Sequence, residues 1–252
     1  MKVITITNQK GGTGKSTTAG TLFAGLKLRG YKVLFIDLDA QGNSSYIMGA
    51  QGQTPISIND LIKNPKLDVN KAIEQTAKGD IIHSNPELNL AHLHLKGKDA
   101  EQAIKTIIAP LKSKYDFIVI DTPPALSVLT FNALVASDFV VIPAEADLFS
   151  LQGISQLFDT IAPIKELLNP KLKVSGILLT RYNERTILSK QITDSIDELA
   201  KKHKTKVFRA KIREAVAVKE ANTQQENIFS YAPNSNVAQD YKAFIKEFLK
   251  GI

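Results

Sequence analysis

Lys10-Gly11-Gly12-Thr13-Gly14-Lys15-Ser16-Thr17 follows an alternating run, Lys2-Val3-Ile4-Thr5-Ile6-Thr7, and opens an apolar-periodic segment over 15–29. Strand, glycine-rich turn and helix in that order turn a flexible string into a phosphate cradle. Glycines let backbone N–H groups converge on phosphate oxygens, which assigns Gly11, Gly12, Thr13 and Gly14 to the loop. Lys15 supplies a point charge to the β- and γ-phosphates, the Ser16 hydroxyl is a magnesium ligand, and Thr17 reaches the α-phosphate as the helix begins. A glycine-rich turn that binds nothing is the competing reading. The strand before it and the helix after it favour a magnesium-ATP site.

Outward from this loop, Val33-Leu34-Phe35-Ile36, Phe117-Ile118-Val119-Ile120, Phe139-Val140-Val141-Ile142 and Val174-Ser175-Gly176-Ile177-Leu178-Leu179 are runs with little polar interruption. Such runs are strands buried on both faces. Helical periodicity falls at 15–29, 99–113, 126–136, 150–168, 186–203 and 237–250. The alternation predicts an α/β fold, a mostly parallel twisted sheet with helices on both faces. The stretch 43–80 reads as short helices and turns, and Leu88-Asn89-Leu90-Ala91 as a further strand, which would make His92 and His94 strand-face histidines. No repeat or linker divides the chain, so 1–252 is expected to be one domain.

Two acidic stretches close apolar strands. Asp37-Leu38-Asp39 puts two carboxylates at the carboxyl end of the second strand, where open α/β sheets bind ligands. Asp121, before Thr122-Pro123-Pro124, orients magnesium, through water. Helix capping by Asp39 and turn formation at Asp121 are the structural alternatives.

The chain has no cysteine, which excludes disulfides, thiolate metal sites and cysteine nucleophiles and suits a reducing cytoplasm. Neither a secretory signal nor an apolar run long enough to span a bilayer is present, so a cytoplasmic protein is expected. The net charge of +7 points to an acidic partner. Residues 181–252 hold fourteen Lys/Arg against nine Asp/Glu, five of those seven charges. Lys201, Lys202, Lys204, Lys206, Arg209, Lys211 and Arg213 follow one another without an intervening acid, a pattern able to neutralise several phosphates on one face. Taken singly, most are equally well solvating surface lysines.

The loop departs from ordinary spacing. Gln9 stands where the first glycine would be, and an extra lysine, Lys10, comes next. Here the chain resembles the deviant Walker A class of P-loop NTPases, which includes the ParA partition ATPases, the MinD regulators and the nitrogenase iron proteins. The resemblance implies that Lys10 reaches across a nucleotide-sandwich homodimer to the partner's phosphates, making Lys10, Lys15 and Asp39 the catalytic set. It also implies that Asp37 lies near magnesium with Ser16 and Asp121, and that Asp39 positions the hydrolytic water. Ala40 replaces the family's proline between Asp39 and Gln41. Leu179-Thr180-Arg181-Tyr182 resembles the adenine-side strand end, which assigns Arg181 to the nucleotide.

Arg185-Thr186-Ile187-Leu188-Ser189-Lys190 resembles the stretch whose arginine contacts nonspecific DNA, making Arg185 and Lys190 candidates. Over Ile212–Ala221, Glu214 and Ala217 occupy positions that are basic in the family, leaving Arg213 and Lys219 as substitutes, with Lys211 a further DNA candidate. The expected function is a ParA-like ATPase for plasmid or chromosome partition. Its ATP-bound homodimer would bind nonspecific DNA, associate with the nucleoid, and be released when a ParB-like centromere-binding protein stimulates slow hydrolysis. Starting at its first strand, the chain is expected to lack an N-terminal helix-turn-helix. The alternative is a MinD-like membrane-associated ATPase anchored by the last helix. We expect that helix to dock on the core, with no stable membrane association. A metabolic P-loop kinase or reductase is a third reading, without a visible acceptor motif.

Overall fold

Strands made of β-branched and aromatic residues bury both faces only if helices cover both. The computed structural model describes residues 1–95, 100–183 and 187–252, for residues 187 and 188 the backbone only. In chain order come β1 (Lys2–Ile6), α1 (Lys15–Lys27), β2 (Val33–Asp37), α2 (Asn43–Ile47), α3 (Ile58–Lys63), β3 (Ile73–Thr76), β4 (Gly79–Ile82), α4 (Ala91–His94), α5 (Ala103–Ile108) and β5 (Phe117–Asp121). They are followed by α6 (Val128–Ala136), β6 (Phe139–Ala144), α7 (Leu148–Leu167), β7 (Lys173–Leu179), α8 (Ile187–Lys202), α9 (Val216–Thr223), α10 (Ile228–Tyr231) and α11 (Asn236–Lys250).

The sheet order is β3-β4-β2-β5-β1-β6-β7, with every pairing parallel except the β3–β4 hairpin. Period-two alternation sorts the strand residues. Val33, Phe35, Phe117, Val119 and Val141 face α1 and α11. Leu34, Ile36, Ile118 and Ile120 face α3, α5 and α6, while Val140, Ile142, Ile177 and Leu179 face α7 and α8. The predicted fold class therefore holds.

Helix ends follow local chemistry. Ser127, Asp147 and Ser235 cap α6, α7 and α11 by accepting from Thr130, Ser150 and Ala238 N–H groups. The helix predicted over 99–113 is interrupted: α5 ends at Ile108 and a 3₁₀ turn carrying Pro110 takes over, since proline cannot donate the next helical bond. Leu88–Ala91 is not a strand. Pro86 starts a 3₁₀ turn, Pro86–Leu90, that runs into α4, so His92 and His94 sit on a short helix. The stretch 43–80, read as short helices and turns, does hold α2 and α3, but it also holds β3 and the start of β4, a hairpin whose polar residues hide its strand character. The last helix docks through Tyr241, Phe244, Ile245 and Phe248, all buried. Ile245 comes so close to Gly25 on α1 that a Cβ there would lie 2.2 Å from it.

Candidate nucleotide site

The strand order turns at β1: its connection leads through α1 to β2 on one side, and β5 crosses through α6 to β6 on the other. A crevice opens at the carboxyl ends of strands at such a point. The glycine-rich loop lies there. Gly12 and Gly14 both adopt φ 78°, a left-handed backbone, and a Cβ at Gly11 or Gly12 would meet nothing within 4 Å. Gly14 caps α1 without a side-chain bond, which leaves the first N–H groups of that helix open to an anion. Loop position is set from outside: Thr180 Oγ1 donates to Thr13 O at 2.9 Å and Asn8 Nδ2 to Pro143 O at 2.7 Å.

Lys15 is buried and its Nζ donates to Lys10 O at 2.9 Å. Burial pulls its pKa down, against the charges of Asp121 and Asp39. Asp37 and Asp121 are register partners at the ends of β2 and β5, and both are fully buried. Burial raises both carboxyls, and the charge of Asp121 raises Asp37 further. Asp37 is well satisfied: Oδ1 accepts from Asp39 N at 2.9 Å, and Oδ2 from Ser45 N and Oγ, both at 2.8 Å. Asp121 Oδ2 accepts from Ser44 Oγ at 2.6 Å, whereas its Oδ1 is buried with no hydrogen-bond partner.

That orphaned oxygen, beside Lys15 and Ser16, fits a hydrated magnesium ion brought in with phosphates. Among the described residues no three His, Cys, Asp or Glu side chains cluster as a metal cage. Asp39 is half-buried and not the cap of α2; its Oδ1 accepts from Gln41 N at 3.0 Å.

Lys10 Nζ lies 2.6 Å from Asp147 Oδ2 and 3.6 Å from Glu145 Oε2. Despite burial, Lys10 and the Ser150 cap hold Asp147 below the usual carboxylate range. Glu145 also binds Arg181 Nη1 at 3.1 Å, and Arg181 Nη2 binds Glu214 at 2.9 Å. Arg181, at φ 50°, lines a cavity of about 280 Å³ with Gly12, Gly14, Thr17 and Val218, next to the phosphate loop. The sequence reading missed Glu145 and Asp147. Yet Ala144-Glu145-Ala146-Asp147 repeats, at the end of β6, the strand-terminal acid-x-acid pattern already noticed at Asp37 and Asp39.

Of the DNA candidates, Arg213 and Lys219 line this same cavity. Arg185 falls outside the described residues. Lys190 is exposed on α8. Arg213 forms a two-pronged pair with Asp240 at 2.7 and 2.8 Å. Lys219 stands 3.8 Å from Glu214, and Lys211 Nζ sits 4.1 Å over the Tyr182 ring. Lys201 and Lys206 pair with Asp197 and Glu247. The acid-free run is thus partly neutralised by acids from elsewhere in the fold, and Lys202, Lys204 and Arg209 remain its exposed members without a carboxylate in ion-pair range among the described residues.

A family profile described as an AAA domain matches residues 1–174. The sporulation initiation inhibitor protein Soj of Bacillus subtilis is 37% identical over 250 residues, covering 98% of this chain and 97% of its own length. The chromosome partitioning protein ParA of Myxococcus xanthus is 34% identical over 253 residues, 99% of this chain and 88% of its own. Among solved structures, cobyrinic acid a,c-diamide synthase from Mycobacterium smegmatis with bound ATP analog and magnesium matches with a TM-score of 0.84 at 28% identity, over 99% of this chain and 95% of that one. The family match over most of the chain and the near end-to-end likeness to Soj leave one placement: this chain belongs to the AAA-domain family, as a ParA-type partition P-loop ATPase.

Proposed function

We propose that this ATPase partitions DNA by switching, with bound nucleotide, between a monomer and a sandwich homodimer that holds nonspecific DNA. One observation carries the reading. Lys10, its side chain 29% exposed, belongs to the phosphate loop, and among the described residues its ammonium pairs with the acids of the β6–α7 corner, where Leu148 and Phe149 are 66% and 73% exposed. A cation and an unburied apolar pair on the nucleotide-facing edge suit a surface that a second copy covers.

Within the site, Gly11 to Thr17 would hold the phosphates, Lys15 the β- and γ-phosphate charge, and Arg181 the base side. Ser16 and Asp121, with Asp37 behind them, would hold magnesium, and Asp39 would orient the attacking water. Bound magnesium would offset the charge of the phosphate oxygens, the chemistry for which the ATP-analog complex of the solved relative is a precedent. Lys10 of each copy would meet the other's phosphates, as an arginine finger does in trans.

DNA would lie across the paired α8 and α9 faces, contacted by Arg185, Lys190, Lys211, Arg213 and Lys219. Dimerisation doubles such a patch, so that ATP gates DNA binding. A ParB-like partner would stimulate hydrolysis and release, in a nucleoid-associated cytoplasmic cycle. With Tyr241, Phe244, Ile245 and Phe248 of α11 buried in the core that α1 shares, most of its apolar face is already covered, which argues against the membrane-anchored alternative. The test is binding to a random-sequence duplex with ATP, with ADP and without nucleotide across a salt series, beside anionic liposomes. DNA binding only with ATP, falling steeply with salt, is expected. Liposome binding without DNA binding would overturn the proposal.

A further inference from the structure

Beside the nucleotide cavity lies a second and larger one, about 410 Å³, between α1, α2, α9, α10 and the β3–β4 turn. Much of its wall is apolar, from Phe23, Ala24, Ile47, Met48 and Ile228, with Leu28 70% exposed, and Thr21, Asn222 and Asn227 are among its polar lining. The volume lies within the roughly 300–1,000 Å³ of small-molecule sites. Two ammonium groups stand at one end. Lys27 Nζ donates to Lys78 O, and Lys78 Nζ donates to Ile47 O. Among the described residues neither has a carboxylate in ion-pair range, although Glu226 on the wall acts on Lys78 from further off. Partial burial pulls Lys78 down from its ordinary value, so its charge is held at a desolvation cost that carbonyls offset only in part.

A mainly apolar chamber lined by two ammonium groups against the single carboxylate of Glu226 keeps a net positive charge, which suits an alkyl chain with an anionic head. The chamber also touches the nucleotide site. Thr17, Val218 and Asn222 line both cavities, and Asn222 Nδ2 lies 3.4 Å from Thr17 Oγ1. We propose that this second cavity is a regulatory site for an amphipathic anion, an alkyl carboxylate or alkyl phosphate, whose binding shifts the affinity for nucleotide through the shared wall. The coupling rests on the nucleotide assignment above; the binding does not.

The test is calorimetric titration of the full chain, free of nucleotide, with decanoate, decyl phosphate and decanol. One saturating site is expected for at least one anion, with decanol at least tenfold weaker. The stronger anion tells which head group the site takes. Gly20, on the α1 wall, has open space where its Cβ would be, so Gly20→Leu fills the chamber and is expected to abolish binding. The paired change Lys27→Gln and Lys78→Gln is expected to weaken anion binding tenfold and leave decanol unchanged, which tests the site even if Gly20→Leu does not fold. Saturating anion should shift the ATP dissociation constant at least threefold. No saturable binding, undiminished binding in the filled or charge-depleted variants, or decanol binding as tightly as the anions would each overturn the site. Anion binding with an unmoved ATP constant would overturn its regulatory role.

Discussion

Phe244→Ala tests whether the last helix is part of the core or an appended tail. Phe244 is fully buried, edge-on to Phe208 with ring centroids 5.0 Å apart at 87°, and 6.2 Å from Phe248. Truncating a buried phenylalanine costs about 3–5 kcal/mol, and loss of the edge-to-face contact places this site near 4 kcal/mol. At about 2.1 cal/mol/K per residue, a chain of 252 residues has an unfolding entropy near 0.5 kcal/mol/K, so Tm should fall by about 8 °C. Urea unfolding followed by circular dichroism, with scanning calorimetry alongside, reads both quantities. Lys246→Gln, on the exposed face of the same helix, should stay within about 0.5 kcal/mol of the parent. A loss below about 1 kcal/mol for Phe244→Ala would mean that α11 is not docked in solution and would return the membrane-tail reading.

Gly20→Ala should stabilise the protein by about 0.5–1 kcal/mol, because a methyl in that open helical position meets nothing and removes backbone entropy; an unchanged or lower urea midpoint would refute this. Asp121→Asn should stabilise the magnesium-free protein at pH 8 by on the order of 1–2 kcal/mol, since burial holds this carboxyl above its ordinary range and its ionised form opposes folding. With the folded-state pKa raised, the native carboxyl's penalty is full above that value. It fades as pH falls toward 3.8, so the two melting curves should converge in acid; parallel curves would contradict the reasoning. Asp147→Asn keeps an acceptor for the α7 cap but loses the charge that holds Lys10. A half-exposed pair is worth up to about 1 kcal/mol, so the variant should reach half-dimerisation at up to about fivefold lower ATP in light scattering, and a higher requirement would refute the tether.

The central sheet was legible because β2, β5, β6 and β7 contain apolar runs with little polar interruption, a pattern that burial on both faces explains. The loop from Lys10 to Thr17 was legible for a different reason: its residue types have few uses outside phosphate chemistry in that context. What was not legible depends on contacts distant in sequence. Ile73-Glu74-Gln75-Thr76 carries too little apolar character to read as a strand, and it becomes one by pairing with β4. Leu88–Ala91 looked like a strand because its leucines alternate, but Pro86 starts a 3₁₀ turn there. The acid-free basic run suggested more open charge than exists, since Asp240 and Glu247, on α11, come back to Arg213 and Lys206. Spacing announced the extra lysine, whereas its partners Glu145 and Asp147 lie 135 and 137 positions further along and are joined to it only by folding.

The most direct measurement is the solution mass of the Asp39→Ala variant by light scattering, with saturating magnesium-ATP and with ADP. A chain of 27.6 kDa should double to about 55 kDa with ATP and remain single with ADP, and adding Lys10→Ala should abolish the doubling. A mass that stays at 27.6 kDa while ATP is bound, or a dimer that forms equally well without Lys10, would contradict the nucleotide-switched sandwich.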